Sequence, residues 1–180
     1  MKLNLPNKLT MFRILIIPLF LVFLLSDIGG IYGRYIALVL FIVASITDAL
    51  DGYIARKRNL ITTFGKFMDP LADKILVCSA LIALVQTGDI YAAAVIIIIT
   101  REFIVTGFRL VVSDKGVVIA ASKWGKIKTV SQMVMVIYLL MGLPGAMFDS
   151  IGMVLIFVSL VFTIVSAVDY VVKNFHVLET

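Results

Sequence analysis

Four aspartates stand in one short stretch of an otherwise apolar chain, in the pattern Asp48-x2-Asp51-Gly52-x2-Ala55-Arg56-x8-Gly65-x3-Asp69-x3-Asp73. The 180 residues include only 11 acidic side chains, so this concentration needs a reason. Acids in or beside membrane-spanning segments commonly mark a functional site, because burying them without partners is costly. At about 100° per residue, Asp48 and Asp51 lie about 60° apart on one helix face, and Asp69 and Asp73 about 40° apart on the next. Four facing carboxylates repel at low dielectric unless cations neutralise them. Oxygen ligands with no His or Cys close by suit a hard ion, magnesium, manganese or calcium, rather than zinc. Four acids can hold two such ions and still leave room for phosphate oxygens.

The residues between the acids fit that chemistry. Gly52 stands one turn from Asp48 and Ala55 about one turn from Asp51, which clears a groove where a ligand can approach the backbone. Arg56 offers a planar fork for phosphate. Gly65, expected in the loop ahead of the third helix, lies one turn before Asp69 and again permits close approach. Singly, these positions also have a packing explanation: small residues ease helix contact in membranes, and arginine anchors the interface. The four acids together have no such explanation.

Helices must carry these groups. The chain is 62% hydrophobic with a mean hydropathy of +1.12, well above the roughly 45–50% apolar content of soluble domains. The expectation is one domain over residues 1–180, an all-α integral membrane protein. Its six transmembrane helices fall at about 9–27, 35–56, 70–87, 90–112, 127–143 and 150–172, each near or above the roughly 17 residues that span the hydrocarbon core. Pro70 suits the first turn of the third. With a cytoplasmic N-terminus, Lys2, Lys8, Arg13, Arg56, Lys57, Arg58, Lys66, Lys74, Arg109, Lys115, Lys123, Lys126, Lys128 and Lys173 fall on the inner side, and Arg34 alone on the outer. That asymmetry sets a multi-pass orientation in the plasma membrane, with the active site at the cytoplasmic ends of the helices. It also argues that the net charge of +5 serves topology rather than nucleic acid. Cys78 is the only cysteine, so no internal disulfide forms. Ser26, Gly29 and Gly30 make a poor cleavage site, which disfavours a signal peptide. His176, the only histidine, lies beyond the last span, in what reads as a loose tail.

At these residues the chain resembles the CDP-alcohol phosphotransferase family, whose signature is D-x2-D-G-x2-A-R-x8/9-G-x3-D-x3-D; all eight fixed positions are present. The family's six-helix membrane fold agrees with the hydropathy count. The resemblance implies a transferase that moves a phosphatidyl or similar group from a CDP-linked donor to an alcohol and releases CMP. It implies that Asp48, Asp51, Asp69 and Asp73 bind two divalent ions, magnesium or manganese, and that Asp73 also deprotonates the acceptor hydroxyl. It implies CDP contacts from Gly52, Arg56 and Thr62, alongside the groove at Ala55 and Gly65. Asn7 and Thr10 match the segment that lies against the nucleotide in relatives. A homodimer follows by the same analogy.

The acceptor must be read elsewhere. Arg101, Glu102 and Arg109 fall in the fourth span, with Glu102 and Arg109 within about 20° on one face. Lys123, Lys126 and Lys128 open the fifth. Cations near the active site suit an acceptor that is itself a phosphate; an anchor for anionic lipid heads is the alternative for the lysines, and an ion pair that fixes packing is the alternative for Arg101 and Glu102. Four segments are similar to the bacterial members of the family that join CDP-diacylglycerol to glycerol-3-phosphate: Pro6-Asn7-x2-Thr10-x2-Arg13, Phe64 to Lys74, Arg101-Glu102-x4-Gly107-x-Arg109, and Ala121-Ser122-x2-Gly125-Lys126-x-Lys128-Thr129. On that similarity Arg109, Lys126 and Lys128 hold the acceptor phosphate, with Arg101 and Lys66 behind them. Relatives acting on serine, inositol phosphate or phosphatidylglycerol share the aspartate motif. A divalent-cation channel would also need carboxylates in the membrane, but nearer the midplane.

Overall fold

The computed structural model describes residues 5–57, 63–114 and 122–174, with side chains described for 9–48, 71, 72, 74–109 and 122–173. Among these residues the chain is all-helical: α1 (Leu5–Leu25), a 3-10 turn (Gly30–Tyr32), α2 (Gly33–Lys57), α3 (Thr63–Gln86), α4 (Ala92–Asp114), α5 (Lys123–Met141) and α6 (Ala146–Asn174). Most of these helices begin two to seven residues ahead of the apolar stretches that announce them. Hydropathy registers only the part of a helix that suits lipid, whereas polar residues such as Lys66 and Asp69 extend it. The third helix is the clearest difference. It starts at Thr63, so Gly65 lies inside it rather than in a loop, and Pro70 lies beyond the first turn. A proline inside a helix removes one hydrogen bond and crowds the preceding turn, a cost that membrane helices tolerate because neighbouring groups satisfy the freed carbonyl.

Two compact units share these helices. The first comprises residues 1–89 with 140–142. Here α1 packs against α2 and α3, and α2 against α3. Alanines permit the approach: Ala37 and Ala44 on α2 and Ala72 and Ala80 on α3 are fully buried, alongside Phe20, Phe41, Leu81 and Leu84. Small residues of this kind are how helices come together where lipid offers no hydrophobic drive. The rings of Phe20 and Phe41 meet at 5.9 Å.

The α1–α2 connection turns at Gly29, φ 97°, where a Cβ would lie 2.9 Å from the Gly33 Cα. Arg34 then gathers distant chain. Its guanidinium lies 2.8 Å from the Asp89 carboxylate, and its Nε donates to the Leu140 carbonyl at 3.1 Å. Gly142 sits at φ 56°, and a Cβ there would overlap the Arg34 guanidinium. Gly142→Ala therefore meets both a left-handed backbone and an occupied space. A loss of about 1–3 kcal/mol in unfolding free energy is expected, read as a lowered melting midpoint; an unchanged midpoint would mean that Arg34 moves aside at no cost.

The second unit comprises 90–139 and 143–180. α4 packs on α6, with Phe108 edge-on to Tyr170 at 5.4 Å. Tyr138 stacks on Phe148 at 4.2 Å and donates to its carbonyl at 3.2 Å. Ser122 caps α5, its hydroxyl accepting the Gly125 N–H at 3.1 Å, which gives that pair of the sequence pattern a structural duty.

The described surface is apolar, and several polar side chains are buried beneath it. Thr10, Arg13, Lys128, Gln132, Ser159, Thr163 and Ser166 are buried, while Val39, Ile46, Ile82, Ile96, Phe103, Val130, Phe157 and Val172 are exposed. An apolar exterior, with a few polar side chains withdrawn into an otherwise apolar core, is what a hydrocarbon solvent favours. Among the described residues, Gly30–Asp48 (19 residues, mean hydropathy 1.7) and Ala146–Lys173 (28 residues, mean hydropathy 2.7) are long and apolar enough to cross a membrane.

Candidate active site

Both acidic pairs lie a similar distance from the α2–α3 connection. Asp51 and Asp48 fall six and nine residues before the end of α2 at Lys57, and Asp69 and Asp73 six and ten residues after the start of α3 at Thr63. At about 1.5 Å per residue, each pair sits about 9–15 Å along its helix from that connection. α2 and α3 touch. By residue count the four positions thus stand at similar distances from one connection, on two helices that touch. Gly52, Ala55 and Arg56 follow on the last turns of α2, and Gly65 and Lys66 on the first turns of α3. The side chains of Asp51, Asp69, Asp73, Ala55, Arg56, Lys66 and Asn7 lie outside the described ones, as do Thr62 and His176 entirely.

Asp48 is described, and it carries a feature that the motif does not mention. The Arg13 guanidinium of α1 stands 2.7 Å from its carboxylate. Arg13 is wholly buried, whereas the Asp48 side chain keeps 34% of its surface exposed. Thr10, one turn before Arg13 on the same face, is wholly buried too. A buried guanidinium anchors one oxygen of the carboxylate through a charge-assisted contact. In the sequence Arg13 stands among the inner-side cations and in the Pro6-to-Arg13 segment shared with relatives, without a partner assigned; the usable signal is a cation three residues after Thr10 inside an apolar helix.

The cations of the second unit divide into separate groups. Glu102, midway along α4, accepts from Arg101 at 2.9 Å and from Lys128 of α5 on the same oxygen. The Lys128 side chain is 3% exposed. Lys126 is exposed, beside Ile127, Val130 and Ser131; two residues are about 200° of helix, so the two lysines leave α5 on opposite sides. Arg109 is exposed and lies over the Tyr170 ring at 5.5 Å. Glu102 and Arg109, though on one face, take different partners. Arg101 also borders a cleft of about 340 Å³ between α4 and α6, otherwise lined by Ile97, Ile104, Phe108, Ile164 and Val168.

The helical fold and the acid motif define a class: enzymes that act on a CDP-linked alcohol. The profile described as CDP-alcohol phosphatidyltransferase matches residues 3–165, and the chain belongs to that family. Among its relatives, a CDP-diacylglycerol–glycerol-3-phosphate 3-phosphatidyltransferase of Bacillus subtilis (strain 168) is 46% identical, over 98% of each chain. A protein of the same name from Rickettsia typhi is 38% identical, over 93% of this chain and 94% of its own. Another from Haemophilus influenzae is 36% identical, over 94% and 92%.

Proposed function

We infer that this protein transfers the phosphatidyl group of CDP-diacylglycerol to a hydroxyl of glycerol-3-phosphate, giving phosphatidylglycerophosphate and CMP. One observation carries the reading: two pairs of aspartates at similar residue distances from one connection, on touching helices, in a member of this family. Full-length similarity to relatives named for that reaction supports the choice of substrates.

The donor set fits a hard cation, since it offers carboxylate oxygen without His or Cys, and Asp48 keeps part of its surface open. Asp48, Asp51, Asp69 and Asp73 would hold two magnesium ions, with manganese as the substitute. When bound, such ions neutralise the pyrophosphate and stabilise charge on the departing CMP. The chain's own residues do the rest. Gly52, Ala55 and Gly65 leave room for the nucleotide, while Arg56, Thr62, Asn7 and Thr10 hold the CDP moiety. Asp73 takes the proton of the acceptor hydroxyl as its oxygen bonds to the phosphatidyl phosphorus and the bond to CMP breaks. Arg109, Lys126, Lys128, Arg101 and Lys66 supply the positive charge of the acceptor side; Arg101 and Lys128, which share Glu102, receive the acceptor phosphate and orient the hydroxyl.

The setting follows from the same reading. Residues 1–180 act as one catalytic domain of six membrane-crossing helices in the plasma membrane. The N-terminus and the aspartates are cytoplasmic, where the inner-side cations place them. A homodimer is carried over from the family resemblance.

The test is CMP release from CDP-diacylglycerol by the purified full chain with magnesium, with glycerol-3-phosphate, serine, inositol phosphate and phosphatidylglycerol in parallel. Glycerol-3-phosphate alone should support turnover, and chelation should abolish it. Turnover only with serine would overturn the acceptor, full turnover after exhaustive chelation the metal site, and ion flux without CMP release the enzyme reading itself. Lys126→Ala should raise the KM for glycerol-3-phosphate about tenfold, a loss of about 1.4 kcal/mol of binding. A change confined to CDP-diacylglycerol would remove Lys126 from the acceptor site.

A further inference from the structure

Two cations converge on one oxygen in the second unit. Arg101 and Lys128 come from different helices, and each approaches the same Oε1 of Glu102. Their nitrogens therefore lie within two hydrogen-bond lengths of each other. Left alone, two cations so close would separate, and Lys128 is almost wholly buried. Glu102 is what keeps them together. The Arg101 Nε is buried with no hydrogen-bond partner among the described residues. Two N–H-bearing cations at this spacing match an anion that can accept from both at once. A phosphate does so through separate oxygens and with charge-assisted bonds, whereas a neutral alcohol brings no charge to the two cations.

We propose that Glu102 is the positioning residue of the acceptor subsite: it does not touch the acceptor, but holds Arg101 and Lys128 at the spacing that receives a phosphate, and so selects a phosphorylated alcohol over a neutral one. The proposal rests on reading Arg101 and Lys128 as acceptor-binding groups. It adds the residue that arranges them and the source of the preference. Neutralising a buried lysine would require only a negative charge nearby; positioning requires that charge at a particular reach.

Glu102→Gln and Glu102→Asp separate the two roles. Gln keeps the length and loses the charge, whereas Asp keeps the charge and shortens the reach. In the purified full chain, Glu102→Gln should raise the KM for glycerol-3-phosphate about tenfold or more while the KM for CDP-diacylglycerol stays within about twofold. Glu102→Asp should fall between Gln and wild type, at about threefold by the same criterion. Trp124, the only tryptophan, stands one turn before Lys128 and reports binding without turnover. Its fluorescence titration with glycerol-3-phosphate should shift in parallel, whereas titration with glycerol should not change between variants.

Should Glu102→Gln fail to fold, Glu102→Asp carries the test. A wild-type KM for glycerol-3-phosphate in Glu102→Asp, or equal rises in both KM values in either variant, would overturn the proposal and leave Glu102 a neutraliser. If the wild-type chain turns over with another acceptor and ignores glycerol-3-phosphate, the acceptor reading falls and the proposal with it. If wild type uses glycerol-3-phosphate and the variants match it, only the proposal falls.

Discussion

Asp73→Asn is expected to lower CMP release by about 10²–10⁴-fold, the usual contribution of a positioned general base, while CDP-diacylglycerol still binds within a few-fold of wild type. The two readouts separate for a chemical reason. Asparagine keeps an oxygen that can face a cation, so the donor is still held, but it cannot accept the acceptor's proton at neutral pH. Asp73 stands last in the quartet, four residues beyond Asp69 on α3. Asp48→Asn offers the contrast: a residue that only holds metal should respond to added magnesium, and a base should not. Turnover of Asp73→Asn at wild-type level, or its recovery with magnesium, would end the assignment of Asp73 as the base.

Arg13→Met should cost both stability and turnover. A buried ion pair broken from one side leaves a charge without its partner, which costs about 3–5 kcal/mol in a fully buried setting. Asp48 keeps a third of its surface exposed, so the cost here belongs at the lower end, on the order of 2–3 kcal/mol. Turnover should drop about 10–100-fold, as it does when a group that orients a metal ligand is removed. Arg13→Lys keeps the charge without the planar fork and should recover melting temperature more than activity. CMP release and a thermal melt on the same preparations check both arms. Wild-type turnover in Arg13→Met would detach Arg13 from the site and leave it a packing device.

The acid motif is legible in the amino-acid sequence because its information is local. Asp48 and Asp51 occupy one helix, Asp69 and Asp73 the next, and the connection between them is short, so spacing alone brings the pairs to one level. Six helices are legible for a related reason: apolar stretches long enough to meet a bilayer leave a signal in composition. Their starts are not, since the polar turns of α3 before Asp69 look like loop to hydropathy and form helix nonetheless. The three lysines of the fifth span look like one cluster in sequence. A helix turns about 200° between Lys126 and Lys128, and one is exposed while the other is buried against Glu102.

What the chain determines by itself, then, is everything that depends on neighbours within a helix or two: an apolar class, a helical architecture, an acid quartet and its family. Only tertiary structure decides which distant partners meet. Arg13 reaches Asp48 from α1, Lys128 reaches Glu102 across from α5, and Arg34 reaches Asp89 and the Leu140 carbonyl from the start of α2. Arg13 and Lys128 enter an apolar surrounding where water cannot satisfy them, so each must find an acceptor across the fold, while the part-exposed Arg34 ties chain segments distant in sequence. The sequence places these cations along their helices; which acceptor each finds depends on how the helices pack.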